Sequence, residues 1–254
     1  MIYINLDRRP DRRENMIKQL GNQHTIERIS AIDGFLQRDY IVSQRDMFSN
    51  PCFIKAIDYY IADPTCTSPP PSYQCYDTNI HFGVMGNAMS HYQAWQKVLE
   101  LENDTDCAVI LQDDAMLVPN FYQVLNEILE NIPDDAKIVS LGRHECAIGS
   151  HFVAVDFNDE PKIDELFQQR VSSTIGKLKP HTNPCSLAYV MTKAGAEFII
   201  NKTKSFHHAM DWHLNHMLMD LDIHYATYKA LATSDTRNFR SDIFDADPPT
   251  ITEK

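Results

Sequence analysis

The chain has 254 residues, 43% of them hydrophobic and 23% charged, so it can bury a sizeable core without stabilising disulfides or structural metal ions. Acidic residues outnumber basic ones 35 to 23, and the formal charge of −12 argues against nucleic acid as a partner. No apolar run is long enough for a signal core or a transmembrane segment, which predicts a cytoplasmic protein. The six cysteines form no C-x-x-C pair or zinc pattern, which indicates reduced thiols. A local disulfide between Cys66 and Cys75 is the alternative.

Strand and helix patterns alternate through the first part of the chain. The predicted elements are a strand at 1–6, a helix at 10–20, a strand at 25–30 and a turn at 31–34. Pro10 suits the first turn of that helix, and Gly21 suits its end. Residues 35–80 lack periodicity and contain the run SPPPS, so we predict a long irregular insertion, either a lid over a binding site or a plain surface loop.

The rest of the chain continues the alternation. An apolar run at 107–111 is typical of a strand buried on both faces of a mostly parallel sheet. The other predicted elements are helices at 83–100, 119–131, 193–201 and 209–219 and strands at 136–141, 151–157, 186–191 and 223–228. This order predicts an α/β domain with helices flanking the sheet, and a polar tail from 231 that wraps the surface.

Two adjacent carboxylates, Asp113 and Asp114, follow the apolar run at 107–111. Ligands of open α/β sheets bind at the carboxyl ends of the strands, so we expect this pair at the mouth of a site. Mg²⁺ and Mn²⁺ prefer carboxylates together with phosphate oxygens, and a bound metal stabilises a diphosphate leaving group. The alternative is a loop of solvated acids that caps the next helix.

The first predicted strand-to-helix junction, INLDRRPDRRE at 4–14, gathers four arginines in an acidic protein. Arginines and helix N-termini favour anions, so the junction is a candidate phosphate site. Asp7 can accept hydrogen bonds from a base or a ribose. A solvated helix start, in which these arginines pair with nearby acids, explains the same residues.

Two further segments carry polar groups with more than one interpretation. Ser90 and His91 follow two glycines in GVMGNAMSH at 83–91, but no G-x-S-x-G elbow indicates a nucleophilic serine, and His91 is typical of a hydrogen-bonded core residue. Asp211, next to Trp212, is a candidate acceptor-site base or a helix cap. The histidines around it could bind a transition metal, although their spacing is not H-E-x-x-H.

Six segments resemble, in order, those of glycosyltransferase family 25, which includes bacterial lipooligosaccharide glycosyltransferases and procollagen galactosyltransferases. They are INLDRRPDRRE at 4–14, AIDG at 31–34, GVMGNAMSHYQAW at 83–95, VILQDDAMLVPNF at 109–121, SLAYVMTKAGAEFI at 186–199 and SDI at 241–243. Their order is more specific than any one segment. The family acidic motif commonly reads Glu-Asp-Asp, whereas this chain has Gln112 before Asp113 and Asp114.

The resemblance implies a single GT-A-type, Rossmann-like domain over 1–254, with the acceptor-side half at about 185–254. It implies inverting transfer of a sugar from a nucleotide sugar, UDP-linked, to a hydroxyl of a glycan or glycoprotein acceptor. Mn²⁺ or Mg²⁺ would be held by Asp114 and, directly or through water, by Asp113, and Asp211 would be the catalytic base. The expected donor-binding residues are Asn5, Asp7, Arg8, Arg12, Asp33, Gly34, Ser90, His91 and Asp113. A non-catalytic nucleotide-sugar or glycan-binding domain, favoured by Gln112, and a metal-dependent nucleotide-sugar hydrolase are the competing interpretations.

Overall fold

The computed structural model describes residues 1–22, 25–65, 74–75, 78–79, 81–103, 106–142, 146–148, 151–153, 166–179, 185–219 and 223–234. The strands are β1 (Ile2–Asn5), β2 (Glu27–Ser30), β3 (Gln74–Cys75), β4 (Thr78–Asn79), β5 (Cys107–Gln112), β6 (Ala115–Leu117), β7 (Ile138–Ser140), β8 (Cys146–Ile148), β9 (His151–Val153), β10 (Phe167–Arg170), β11 (Ile175–Leu178), β12 (Ala188–Thr192), β13 (His224–Thr227) and β14 (Ala232–Ser234). The helices are α1 (Pro10–Leu20), α2 (Arg38–Ser43), α3 (Pro51–Ala62), α4 (Phe82–Leu99), α5 (Phe121–Leu129), α6 (Lys193–Lys202) and α7 (Met210–Met219).

An 8-stranded sheet forms the centre of the fold, in the order β10-β11-β13-β7-β12-β5-β1-β2. β1 pairs in parallel with β2 and β5, and β7 pairs in parallel with β13. β11 and β12 run against the other strands of this sheet, because each pairs antiparallel with both of its neighbours. The predicted α/β class with a mostly parallel sheet is therefore confirmed.

Both faces of the central strands are covered by helices. On one face Ile4 and Ile110 pack with residues of α3, α4, α6 and α7. On the other face Tyr3 and Leu111 pack with residues of α1 and α5. Successive side chains of a strand point to opposite faces, so a strand covered on both sides needs apolar residues throughout. This explains the continuous apolar run of β5.

Capping residues set the ends of α1, α4 and α6. α1 begins at Pro10 and is followed by Gly21, whose φ of 59° is a conformation that favours glycine. α4 begins one residue earlier than predicted, because the ring of His81 accepts a hydrogen bond from the N–H of Gly83 at 3.1 Å. α6 follows Thr192, whose hydroxyl accepts the N–H of Gly195 at 3.0 Å.

The segment 35–80 is not irregular throughout, so that prediction is wrong for the part that α2 and α3 occupy. The side chain of Asn50 caps α3 by accepting the N–H of Cys52 at 2.8 Å, and Pro51 follows at the first helical position. Three apolar residues recur on the buried side of α3: Phe53, Ala56 and Ile57. The Asn50–Pro51 pair was therefore the sequence signal for a helix start here.

The predicted polar tail begins with a buried strand. Leu231 and Ala232 are buried, and β14 pairs antiparallel with β6, so the prediction that the chain from 231 wraps the surface is wrong for 231–234. The SDI segment at 241–243, residues 154–157 of one predicted strand, the SPPPS run and Cys66 lie outside the described residues. None of the described helices combines the length and the hydropathy needed to cross a bilayer.

Candidate functional site

The ends of four strands meet at one edge of the sheet. β1, β2 and β5 are parallel, so their carboxyl ends lie side by side. β12 runs antiparallel beside β5, so the residues that precede it, including Ser186, reach the same edge. A cleft of about 590 Å³, open solvent included, lies there; its charged and polar lining residues are Arg8, Arg12, Asp33, Asn87, Ser90, His91, Gln112, Asp113 and Asp114.

Asp113 is a buried carboxylate with both oxygens held by residues near the N-terminus. Asn5 Nδ2 donates to Oδ2 at 2.7 Å, and Arg12 Nη1 donates to Oδ1 at 2.9 Å. The side chains of Arg12 and Asp113 are only 5% and 8% exposed. Burial raises the pKa of Asp113, and the Arg12 guanidinium opposes this rise by favouring the charged form. The pair fixes the start of α1 against the end of β5.

Asp114 differs from its neighbour because only one of its carboxylate oxygens is hydrogen-bonded to a described residue. Ser234 Oγ, at the end of β14, donates to Oδ2 at 3.3 Å. Oδ1 is buried and makes no hydrogen bond to any described residue. Burying a carboxylate oxygen without a hydrogen-bond donor costs free energy. This atom is therefore suited to bind a cation or to accept a hydrogen bond from a ligand.

The loop 31–34 forms one wall of the cleft. Arg8 Nε donates to Asp33 Oδ2 at 2.5 Å, and Asp33 Oδ1 accepts the N–H of Phe35 at 3.0 Å. A Cβ on Gly34 would lie 1.8 Å from the carbonyl oxygen of Phe82. Close approach of the loop to the start of α4 therefore requires glycine at this position.

Ser90 and His91 line the cleft from α4, but both already have partners within the protein. Ser90 Oγ accepts the N–H of Ile32 at 2.8 Å, which supports the loop 31–34. His91 Nδ1 lies 2.9 Å from the hydroxyl of Tyr189, and its Nε2 lies 3.2 Å from Gln112 Nε2. Burial lowers the pKa of His91 to about 3, so the ring is neutral at pH 7.

Asp211, in α7, does not line this cleft. It lines a smaller cavity, with room for about one water molecule, together with Tyr189 of β12 and residues of β7, α7 and β13. Ser186 connects the two sites: its backbone N–H donates to Asp211 Oδ1 at 2.6 Å, and its Oγ accepts from Gln112 Nε2 at 2.8 Å. Ser186 thus links the candidate base to Gln112, the residue directly before the acidic pair.

The sequence matches the family model described as Glycosyltransferase family 25 (LPS biosynthesis protein) over residues 1–214. The chain belongs to glycosyltransferase family 25. The family predicted from the order of the sequence segments is therefore confirmed.

Two curated relatives of this family 25 chain are named as glycosyltransferases. A protein of Acanthamoeba polyphaga mimivirus that is named as a glycosyltransferase is 23% identical over 206 residues, which are 79% of this chain and 52% of the relative. Human procollagen galactosyltransferase 2 is 25% identical over 156 residues, which are 58% of this chain and 21% of that protein. The chain thus spans about half of the first relative and about a fifth of the second. The apo crystal structure of mouse xyloside xylosyltransferase 1 is similar with a TM-score of 0.38 and 10% identity, over 88% of this chain and 69% of that chain.

The family 25 chain brings most of the predicted donor-binding residues to one cleft. The lining includes Arg8, Arg12, Asp33, Gly34, Ser90, His91 and Asp113, and Asn5 contacts Asp113. Asp7 does not line this cleft: its exposed carboxylate pairs with Arg28, accepts the hydroxyl of Ser30 at 2.8 Å and lines a neighbouring pocket that shares Arg8 and Asp33 with the cleft. Among the described residues, the histidine-rich stretch around Asp211 included, no group of three or more His, Cys, Asp or Glu forms a metal site.

Three polar residues of this region were not predicted as site residues: Asn87, Gln112 and Ser186. Asn87 lines the cleft, and its buried Oδ1 makes no hydrogen bond to a described residue. Its helical spacing from Ser90 and His91 places it on the same side of α4, so periodicity was an available signal. Ser186 had no local signal, because its partners come from β5 and α7.

Proposed function

We propose that this domain transfers a sugar from a nucleoside diphosphate sugar, with UDP as the nucleotide, to a hydroxyl of a glycan or glycoprotein, with inversion at the anomeric carbon. Membership of family 25 supports glycosyl transfer as the reaction class. The observation that carries the proposal is the buried, unsatisfied Oδ1 of Asp114 in a cleft at the carboxyl edge of the sheet. A GT-A-type, Rossmann-like sheet accounts for that placement.

A divalent cation fits the charge of the cleft. Its described lining contains Arg8 and Arg12 against Asp33, Asp113 and Asp114, so the formal charges, +2 and −3, sum to −1. Arg8 contacts Asp33 and Arg12 contacts Asp113, which leaves the surplus charge on Asp114. A diphosphate adds further negative charge, so its binding here calls for a cation. Mn²⁺ or Mg²⁺ on Asp114 would supply charge neutralisation for the departing diphosphate.

The chain's own groups supply orientation and proton transfer. Each oxygen of Asp113 can accept one hydrogen bond beyond those from Asn5 and Arg12, from a ribose hydroxyl or from a metal-bound water. Asp211 is the proposed base, and the N–H of Ser186 fixes its Oδ1. Asp211 removes the acceptor hydroxyl proton as the new C–O bond forms and the bond to the diphosphate breaks.

The test follows both products of the reaction. The chain is incubated with Mn²⁺, a panel of nucleotide sugars and hydroxyl acceptors, and released UDP and glycosylated acceptor are measured by mass spectrometry. UDP-galactose is the first donor, since the human relative is named as a galactosyltransferase. We expect UDP release that requires both metal and acceptor and stops with EDTA.

Other outcomes contradict the proposal in distinct ways. UDP release that is equally fast without acceptor would indicate a hydrolase. Thermal stabilisation by a nucleotide sugar without any UDP release would indicate a binding domain, because a ligand raises the unfolding temperature by mass action alone. If no nucleotide sugar in the panel stabilises the protein or releases UDP, the proposed donor class is wrong.

A further inference from the structure

Gln112 is the position at which the acidic motif departs from the Glu-Asp-Asp pattern, and its side chain faces two protein groups. Its Nε2 donates to Ser186 Oγ at 2.8 Å and lies 3.2 Å from Nε2 of His91. Ser186 and His91 are each 1% exposed. The amide therefore points at buried partners, although Gln112 is part of the cleft lining.

The partners of Gln112 are themselves fixed. The hydroxyl of Tyr189 lies 2.9 Å from His91 Nδ1 and accepts a hydrogen bond from Trp95 Nε1 at 2.9 Å. Tyr189 and Trp95 are almost completely buried. In addition, the backbone N–H of Gln112 donates to the carbonyl oxygen of Leu187 at 2.8 Å. Gln112 thus ties the end of β5 to α4 and to the residues that precede β12.

Two segments of the proposed site meet at this amide. Asp113 and Asp114 follow Gln112 directly in the chain. On the other side, Ser186 accepts from Gln112 with its hydroxyl and holds Asp211 with its backbone N–H. The position of Ser186 relative to Gln112 therefore sets the spacing between the acidic pair and Asp211.

We propose that Gln112 is a positioning residue, which holds the acidic pair and Asp211 in fixed register through Ser186 and His91 and does not itself bind donor or metal. The inference rests on the proposed function of Asp114 and Asp211. Its consequence is that the missing negative charge at position 112 does not indicate a non-catalytic domain.

A glutamate would satisfy the same partners with the hydrogen bonds reversed. The hydroxyl of Ser186 and an Nε2–H tautomer of His91 would donate to its carboxylate, while Tyr189 donates to Nδ1. Methionine has a similar length but offers neither the donors nor the strong acceptor that these partners need. Gln112→Glu and Gln112→Met therefore separate the hydrogen bonds from the shape of the side chain.

The kinetic test compares these two variants with a matched glutamine-to-methionine change. For Gln112→Met we expect kcat to fall about tenfold, while KM for the nucleotide sugar changes less than about threefold, because the reacting groups are misplaced rather than removed. Gln112→Glu should restore most of the lost kcat. The control Gln44→Met, at the end of α2, should leave both constants unchanged.

A spectroscopic readout keeps the inference testable if no transfer is found. In protein labelled with ¹⁵N-histidine, Gln112→Met should shift the Nε2 resonance of His91, assigned by its loss in His91→Asn. Asp114→Ala should leave that resonance in place while abolishing Mn²⁺-dependent donor binding. If the wild type transfers no sugar but the His91 resonance responds as expected, the proposed function is contradicted and the positioning role is not.

Two results would overturn the positioning role. One is a Gln112→Met variant that has wild-type kcat and an unchanged His91 resonance. The other is a Gln112→Glu variant whose Mn²⁺ affinity rises tenfold or more, since this would place residue 112 at the cation.

Discussion

The cleft beside Asp114 and the cavity beside Asp211 meet through Ser186, yet their electrostatic character differs. Two arginines and three aspartates line the cleft. Among the described lining residues of the cavity, Asp211 is the sole formal charge, and the neighbouring polar groups include Tyr189 and His224. Burial lowers the pKa of His224 to about 4 and raises that of Tyr189, so both are neutral at pH 7. An ionic cleft suits a charged donor with a cation, whereas one carboxylate among neutral groups suits the proton transfer proposed for Asp211.

The largest expected effect comes from removing the surplus charge of the cleft. Asp114→Ala should lower kcat/KM by about 10³-fold, because an electrostatic contact to the leaving group is lost. Titration of Mn²⁺ and the nucleotide sugar should also lose the dependence of donor binding on metal. Asp134→Ala, at an exposed position outside the cleft, is the control and should match the wild type. Metal-dependent binding that survives in Asp114→Ala would remove the metal assignment.

The second prediction concerns the cavity. Asp211→Asn keeps an oxygen that can accept the N–H of Ser186, so the local structure should persist while the basicity is lost. We expect kcat to fall by about 10²-fold, since this is a typical contribution of a general base, with donor affinity unchanged. Stopped-time product assays and donor titration measure the two quantities. Near-normal turnover in this variant would exclude Asp211 as the base.

The third prediction uses the neutral histidine of the cavity. The pKa of His224 is about 4 in the folded protein and about 6.5 in the unfolded chain, so the unfolded state takes up the proton first as the pH falls. Stability from this group is present above about pH 6.5 and lost toward pH 4, by up to ~1.4 kcal/mol per pH unit. His224→Gln should therefore make urea-unfolding free energies between pH 7 and 5 less dependent on pH. Equal slopes in variant and wild type would contradict the burial argument.

The smallest expected effect is at Asn87 in the cleft. A ligand hydroxyl that pairs with the unsatisfied Oδ1 would be worth about 1 kcal/mol, so Asn87→Ala should weaken donor binding about fivefold. Calorimetry with UDP and with the complete nucleotide sugar shows which part of the donor contacts Asn87. If Asn87→Ala binds both as tightly as the wild type, Asn87 does not contact the donor.

The two regions also differed in how well the sequence predicted them. The acidic pair could be placed at a sheet edge because it follows a continuous apolar run, and the arginines because they open a helix after the first strand. Asp211 could be placed in a helix, but the sequence did not predict that it lies outside the cleft. α2 was missed because it has only 6 residues, whereas the 12-residue α3 was missed although a capping asparagine followed by proline marks its start.

Local pattern in the sequence determined the element types, the two-sided burial of β5 and the ordered segments of the family. Tertiary structure decided which polar groups meet: Arg12 reaches Asp113 across 101 positions, and Gln112 reaches Ser186 across 74. Periodicity reports which side of an element faces the core. It carries no information on which distant strand becomes the neighbour, since strand order follows from packing of the whole sheet.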